Sequence, residues 1–369
     1  MNGIHSLAPA KNEIEVTLLG PGYGESVVIH IGGNKWVIID SCIDIDSKKC
    51  SPLEYLKSIN VDPNNIVLII ASHWHDDHVK GLSELVKVSK NAKFCCSTAL
   101  TSDEFIANVT RFEENNPYVF SSGVEEYKKI LTELATKEAN PIRAITNRRI
   151  YQSKPEDAHN CEIWSLSPSD KEIDLFLQEI KNIIPIEHEY SRRMSVTRNN
   201  VSVVVHIKIE DHIFLLGSDL EETKDQQTGW SVIVESNEKP LAKANVFKIP
   251  HHGSITGHSD AVWNEMIEKN AYSILTPYNK GRKLPSQLDV NRIVSFCENA
   301  YSTVKNLSVK RKKRTPTVEK MIKKNIMDLR SIRCSTGRIR IRRTIGSNRD
   351  WQIELFNEAC KLKDMICSR

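Results

Sequence analysis

The stretch Ile66-Val67-Leu68-Ile69-Ile70-Ala71-Ser72-His73-Trp74-His75-Asp76-Asp77-His78 decides the fold. Five consecutive aliphatic residues, mostly β-branched, predict a strand buried on both faces, and such strands present functional groups at their carboxyl ends. This one runs into three histidines and two aspartates within six residues. His73 and His75 are two apart and can turn the same way, while Asp77 and His78 follow on the next turn, so two neighbouring metal sites are expected. Imidazoles and a carboxylate without cysteine suit zinc, manganese or iron, and a hydrolytic rather than purely structural site. A solvated polar loop after a strand would explain none of this spacing.

Upstream, 14–19 and 26–31 alternate like paired strands around the turn Gly20-Pro21-Gly22-Tyr23-Gly24. Gly32-Gly33-Asn34 then turns the chain into Lys35-Trp36-Val37-Ile38-Ile39-Asp40, a further strand ending in a carboxylate. Asp40 reads either as a turn-former or as the group that holds the histidine loop by hydrogen bonds, and the second reading is preferred. Downstream, 81–89 has a helical pattern and 93–96 returns to strand. Residues 101–158 are mixed and polar, with helical periodicity at Val124, Tyr127, Ile130, Leu131 and Leu134, and read as an insertion over the site entrance. Two later strands end in polar clusters: His212-Ile213-Phe214-Leu215-Leu216-Gly217-Ser218-Asp219, and Ala244-Asn245-Val246-Phe247-Lys248-Ile249-Pro250 before His251-His252-Gly253-Ser254. Three strands therefore bring candidate ligands to one edge.

The order His-x-His-x-Asp-His resembles the signature of the metallo-β-lactamase fold superfamily. Gly-x-Gly-Glu near the start, Asn-x-Ser before a strand, Gly-Ser-Asp and Lys-Ile-Pro-His-His-Gly-Ser together resemble, more narrowly, the soluble hydrolase domain of the competence protein ComEC, without its membrane segments. The resemblance implies an α/β fold, a metallo-β-lactamase αββα sandwich over 1–369, with the mostly helical insertion at 101–158 and a basic part at 305–349 continuing into C-terminal strands. It also implies a ligand set. His73 and His75 would hold one of two divalent ions, Asp77 and His78 the other, Asp219 would bridge them, and one of the His251-His252 pair would complete the second site, His251 being preferred because it follows the strand directly. His252 would contact substrate or support the ligands, so Asp77, Asp219 and His252 are the residues expected to carry catalysis. Zinc is the first expectation and manganese the second, because a third-motif histidine has no evident match beyond His159, His188 and His206. The family usually has His-Pro where this chain has Leu284-Pro285.

Hydrophobic content of 40% and charge of 27% are ordinary for a soluble chain, and no apolar run has membrane-spanning length. The first residues lack the pattern of a signal peptide, and nine cysteines without a CxxC pair are expected to be reduced, so a cytoplasmic location and no membrane partner are expected. The net charge of +4 conceals an asymmetry: 305–349 holds 16 Lys or Arg against Glu319 and Asp328, a surplus of 14 that leaves the rest at −10. A basic part on an acidic body suits a polyanionic partner, and equally a solvated surface.

Hydroxyls at Ser254, Thr256 and Ser259 and cations at Lys280, Arg282 and Lys283 are candidates for holding phosphate. The leading functional expectation is a phosphodiesterase or nuclease acting on nucleic acid or nucleotides through a metal-activated water. Hydrolysis of a small ester, thioester or lactam is the alternative enzyme, and an effector subunit of a multi-protein system, such as one of antiviral defence, with its basic segment docking a protein partner, is the non-enzymatic one.

Overall fold

Strand alternation sorts the chain into two mixed sheets. The computed structural model describes residues 7–20, 24–44, 47–106, 122–181, 199–223, 225–279, 283–307, 315, 317–318, 320–321, 337–347 and 349–367. The first sheet contains β1 (Glu13–Gly20), β2 (Ser26–His30), β3 (Trp36–Ile39), β4 (Ile66–Ala71), β5 (Lys93–Ser97) and β6 (Ile142–Ala144). The second contains β7 (Arg148–Gln152), β8 (Cys161–Ser165), β9 (Val205–Ile209), β10 (His212–Leu216), β11 (Ala244–Lys248), β12 (Ile267–Leu275), β13 (Ala300–Ser302) and, after the first sheet takes β14 (Gly337–Thr344) and β15 (Gln352–Phe356), β16 (Cys360–Lys361). Their orders are β15-β14-β1-β2-β3-β4-β5-β6 and β16-β13-β12-β11-β10-β9-β8-β7.

Three layers of buried apolar side chains make this an αββα sandwich. Between the sheets lie alternate residues such as Ile14, Val16 and Leu18 of β1, Leu68 and Ile70 of β4, and Ile207 of β9. The other face of the first sheet packs on α1 (Ser51–Ser58), α3 (Leu82–Val88), α4 (Ser122–Thr136) and α5 (Asp170–Lys181), which follow or precede its strands; the one-turn α2 (Asp76–Val79) carries part of the metal motif. The other face of the second sheet packs on α6 (Gly229–Glu235) and α7 (Gln287–Phe296) through Trp230, Ile233, Val290 and Ile293. β4 contributes to two of these layers, which is why its sequence is apolar without interruption; truncating Ile70 to alanine would cost about 2–5 kcal/mol.

Two expectations change. Residues 101–158 are not wholly an insertion, because β6 and β7 lie within them as edge strands, one in each sheet, and these segments are too short to show a clear period. Helix α4 in this stretch packs on α2 and α3, with Tyr127 and Ile130 fully buried. The basic part is also not one solvated surface. β14 pairs antiparallel with the full length of β1, sending Ile339 and Ile341 inward and Arg338, Arg340 and Arg342 to the opposite face. There Arg342 pairs with Glu15 at 2.6 Å, Arg340 with Glu354 at 2.6 Å, and Arg338 stacks over Phe356 at 3.9 Å. The run Lys310-Arg311-Lys312-Lys313-Arg314 lies outside the described residues.

Candidate metal centre

The carboxyl end of β4 carries Ser72 and His73, and the turn beyond it leads into α2 with His75 just before its first residue. α2 is where Asp77 and His78 become buried. Two strand ends of the second sheet complete the site: Asp219 follows β10, and the His-His-Gly turn follows β11. Asp77, His78, Asp219 and His252 each offer a ligand atom within 4.8 Å of the others, and all four are buried. Asp219 Oδ2 is 3.4 Å from Nε2 of both His78 and His252, and Asp77 Oδ2 is 3.3 Å from His252 Nε2 and 3.8 Å from His78 Nε2.

The hydrogen bonds fix how the rings present themselves. His252 Nδ1 meets the Thr276 carbonyl at 2.9 Å, an acceptor only, so Nδ1 carries the proton and Nε2 faces the cluster. His78 Nδ1 donates to Asp40 at 2.8 Å. Asp40 also accepts from the Ser72 amide at 2.7 Å and the Ser72 hydroxyl at 2.6 Å, and that hydroxyl lies 2.9 Å from His73 Nδ1. One carboxylate thus orients two imidazoles and the strand end between them. Asp40 reaches this position with φ at 59°, an unusual conformation for a non-glycine residue, while its backbone N–H donates to the Ile70 carbonyl at 2.8 Å.

Three atoms test whether the site fits a metal. His73 Nε2, His78 Nε2 and Asp219 Oδ1 are buried without hydrogen-bond partners, although buried polar atoms are nearly always paired. A buried oxygen and nitrogen donor set in which three atoms have no hydrogen-bond partner fits a divalent ion.

The site's charge supports the same reading. Burial works against the charged form of every group, yet the neighbouring carboxylates, Asp219 foremost, hold His78 well above its ordinary range and push His252 up to about 10. Asp77 and Asp219 are conversely held below the usual carboxylate range, against burial, by those same rings. His73 is lowered by burial and by the adjacent His78. Burial leaves the Asp40 carboxyl raised even against its His78 and Ser72 donors.

The candidates read from sequence are distributed unevenly. His75 stands edge-on to His73, with ring centroids 4.7 Å apart, and is half-buried at the rim. His251 is not in the cluster. Both histidines of the pair have positive φ, 45° and 52°, and the turn directs His252 inward while His251 Nδ1 meets Thr256 Oγ1 at 2.7 Å and Glu221 at 3.0 Å. His252, expected to touch substrate, therefore occupies the place expected of His251. Ser254 caps the turn containing Thr256, the Ser259 carbonyl accepts from the Trp263 amide, and the Lys283 ammonium donates to the Leu307 carbonyl. The Ser254 and Thr256 hydroxyls and the Lys283 ammonium are thus engaged within the protein; Lys280 and Arg282 lie outside the described residues. His159 packs against Gly32, and His206 bonds the Ala242 carbonyl inside the second sheet, so neither supplies a third histidine; His188 is outside the described residues.

Glu25, a glutamate after a glycine turn, and Lys248, a lysine at the end of an otherwise apolar strand, also border the cluster, which nothing in the spacing of the sequence requires.

Residues 19–115, which include Asp40 and the His73–His78 motif, match the family model described as the metallo-beta-lactamase superfamily. That quarter of the chain carries the match to the metallo-β-lactamase superfamily. Asp219 and His252 lie beyond the matched stretch and complete the domain's cluster from the second sheet. No curated protein matches the chain. Among solved structures, the metallo-β-lactamase fold protein YhfI from Bacillus subtilis aligns at 12% identity over 64% of this chain and 70% of that one, with a TM-score of 0.34. The short form of human tRNase Z aligns at 9% identity over 78% and 90%, with a TM-score of 0.35. MEM-A1, a subclass B3 metallo-β-lactamase from a soil metagenome library, aligns at 12% over 68% and 81%, with a TM-score of 0.33. Among the described residues, no helix is long and apolar enough to cross a membrane.

Proposed function

We propose that this metallo-β-lactamase domain is a metal-dependent phosphodiesterase acting on nucleic acid or nucleotides. The observation that carries the reading is the buried group of Asp77, His78, Asp219 and His252, in which Asp219 Oδ2 lies 3.4 Å from both imidazoles and Oδ1 has no hydrogen-bond partner, which would leave that oxygen for a second ion beside the first. Two divalent ions bound there would supply a water acidic enough to ionise near neutrality and positive charge opposite the phosphoryl oxygens. The protein's share is orientation. Asp40 and Ser72 hold His73 and His78, and the Thr276 carbonyl holds His252, so the donors need no reordering when substrate arrives. His73 and His75 are the proposed ligands of the first ion, and Asp77, His78 and His252 of the second. The resemblance to the ComEC hydrolase domain and the cationic surplus of 305–349 favour a polyanionic substrate.

A second reading, hydrolysis of a small ester, thioester or lactam, gains from one observation: Arg340 and Arg342 spend their charge on Glu354 and Glu15. Incubation with labelled DNA, RNA, cyclic nucleotides and a chromogenic lactam, across zinc, manganese and magnesium, separates the readings. Phosphodiester turnover that Asp219→Asn abolishes supports the first; lactam or ester turnover alone refutes it.

A further inference from the structure

A lysine is almost never fully buried without a partner, yet Lys248, at the end of the central strand β11, is 1% exposed. Its partner is Glu25, 2% exposed, from the segment leading into β2 of the other sheet. Gly24 permits the approach: at φ 90° it brings the chain so near α2 that an added Cβ would lie 2.9 Å from the Asp77 carbonyl. The ion pair joins the two sheets at the edge where the candidate ligands collect.

Each end of the pair reaches those ligands. The Lys248 ammonium donates to the Ser218 carbonyl at 2.8 Å and lies 3.8 Å from Asp219 Oδ1, the oxygen without a hydrogen-bond partner. The Glu25 amide donates to the Asp77 carbonyl at 2.9 Å, and its Oε1 lies 3.9 Å from His78 Nδ1. Glu25 Oε2 accepts from the Thr276 hydroxyl, and the carbonyl of Thr276 orients His252. All four cluster residues are therefore one or two contacts from a single buried pair.

We propose that Lys248 and Glu25 are a positioning pair that braces Asp77, His78, Asp219 and His252 and sets the site's affinity for its metal through two opposed charges. The inference rests on the cluster holding a metal and not on the phosphodiester reading. In a dry interior both charges act on a divalent ion with little screening. The lysine opposes binding and the glutamate favours it, so removing them singly has opposite consequences. A pair that served packing alone would weaken the site whichever partner was lost.

Cobalt(II) is the probe, titrated into chelator-treated full-length protein at pH 7.5 and followed by visible absorption. Lys248→Met, which leaves the glutamate uncompensated, should tighten binding about tenfold, and Glu25→Gln, which leaves the lysine, should weaken it by at least about tenfold, the scale of effects from groups that support ligands. Lys248→Met/Glu25→Gln should return the affinity to within roughly threefold of wild type because both charges are gone, while its cobalt spectrum changes because the Ser218 carbonyl, next to Asp219, has lost its ammonium donor. If a single variant does not fold, the double variant decides. Changes of the same sign in both single variants, or wild-type affinity and spectrum in the double, overturn the inference alone. No cobalt uptake by wild type overturns the metal centre, and the inference with it.

Discussion

Metal binding at this site should be a proton exchange. In the metal-free protein His252 keeps its proton up to about pH 10, against an ordinary 6.5, because Asp219 and Asp77 outweigh burial. That difference corresponds to an interaction with the protonated ring on the order of 5 kcal/mol. The sign follows directly: the ring's contribution to stability is fully present below pH 6.5 and is lost as pH rises through about 10. A metal takes the same Nε2 and needs it deprotonated. At pH 7 binding must therefore remove a proton held about a thousandfold too tightly, so affinity should rise about tenfold per pH unit from 7 toward 10 for His252 alone. The slope should be steeper with His78, which is also raised. Calorimetric zinc titration of chelator-treated protein in buffers of different ionisation heat counts the protons released, with one to two expected at pH 7. Thermal denaturation supplies a second readout: the contribution lost on raising pH in the metal-free protein should not be lost in the loaded one. Zero proton release, or affinity flat between pH 7 and 9, would refute the reasoning.

Further outcomes follow from the same geometry. His252→Ala should lower metal content by one equivalent while His251→Ala leaves it unchanged, as measured by elemental analysis, because His251 is engaged with Thr256 and Glu221. Asp40→Asn replaces an acceptor of three hydrogen bonds by a group that must turn its NH₂ toward one donor, so metal affinity should fall about 10- to 100-fold with the fold retained by circular dichroism. Replacing Lys310, Arg311, Lys312, Lys313 and Arg314 by glutamine should flatten the salt dependence of nucleic-acid binding, measured by anisotropy, and leave cleavage of a minimal phosphodiester intact. An unchanged salt slope would leave the small-substrate reading as the better account.

What the sequence alone determined was whatever depends on neighbours along the chain. The apolar run of β4, the histidines and aspartates in the six residues that follow, and the carboxylates after β3 and β10 are local, since a strand buried on both faces must be apolar throughout and places its polar residues at its end. Asp40 was legible for the same reason. Other features needed the tertiary structure. Which of His251 and His252 enters the cluster is set by two consecutive positive φ angles and by the Thr276 carbonyl, 24 residues further on; two adjacent histidines are equivalent until that contact exists. The edge strands β6 and β7 are three and five residues long, too short to show a clear period. Arg340 and Arg342 read as free cations until β14 is set beside β1 and β15, which supply Glu15 and Glu354. Glu25 and Lys248 belong to different sheets, and only the packing of the two sheets turns two ordinary charged residues into a buried pair beside the site.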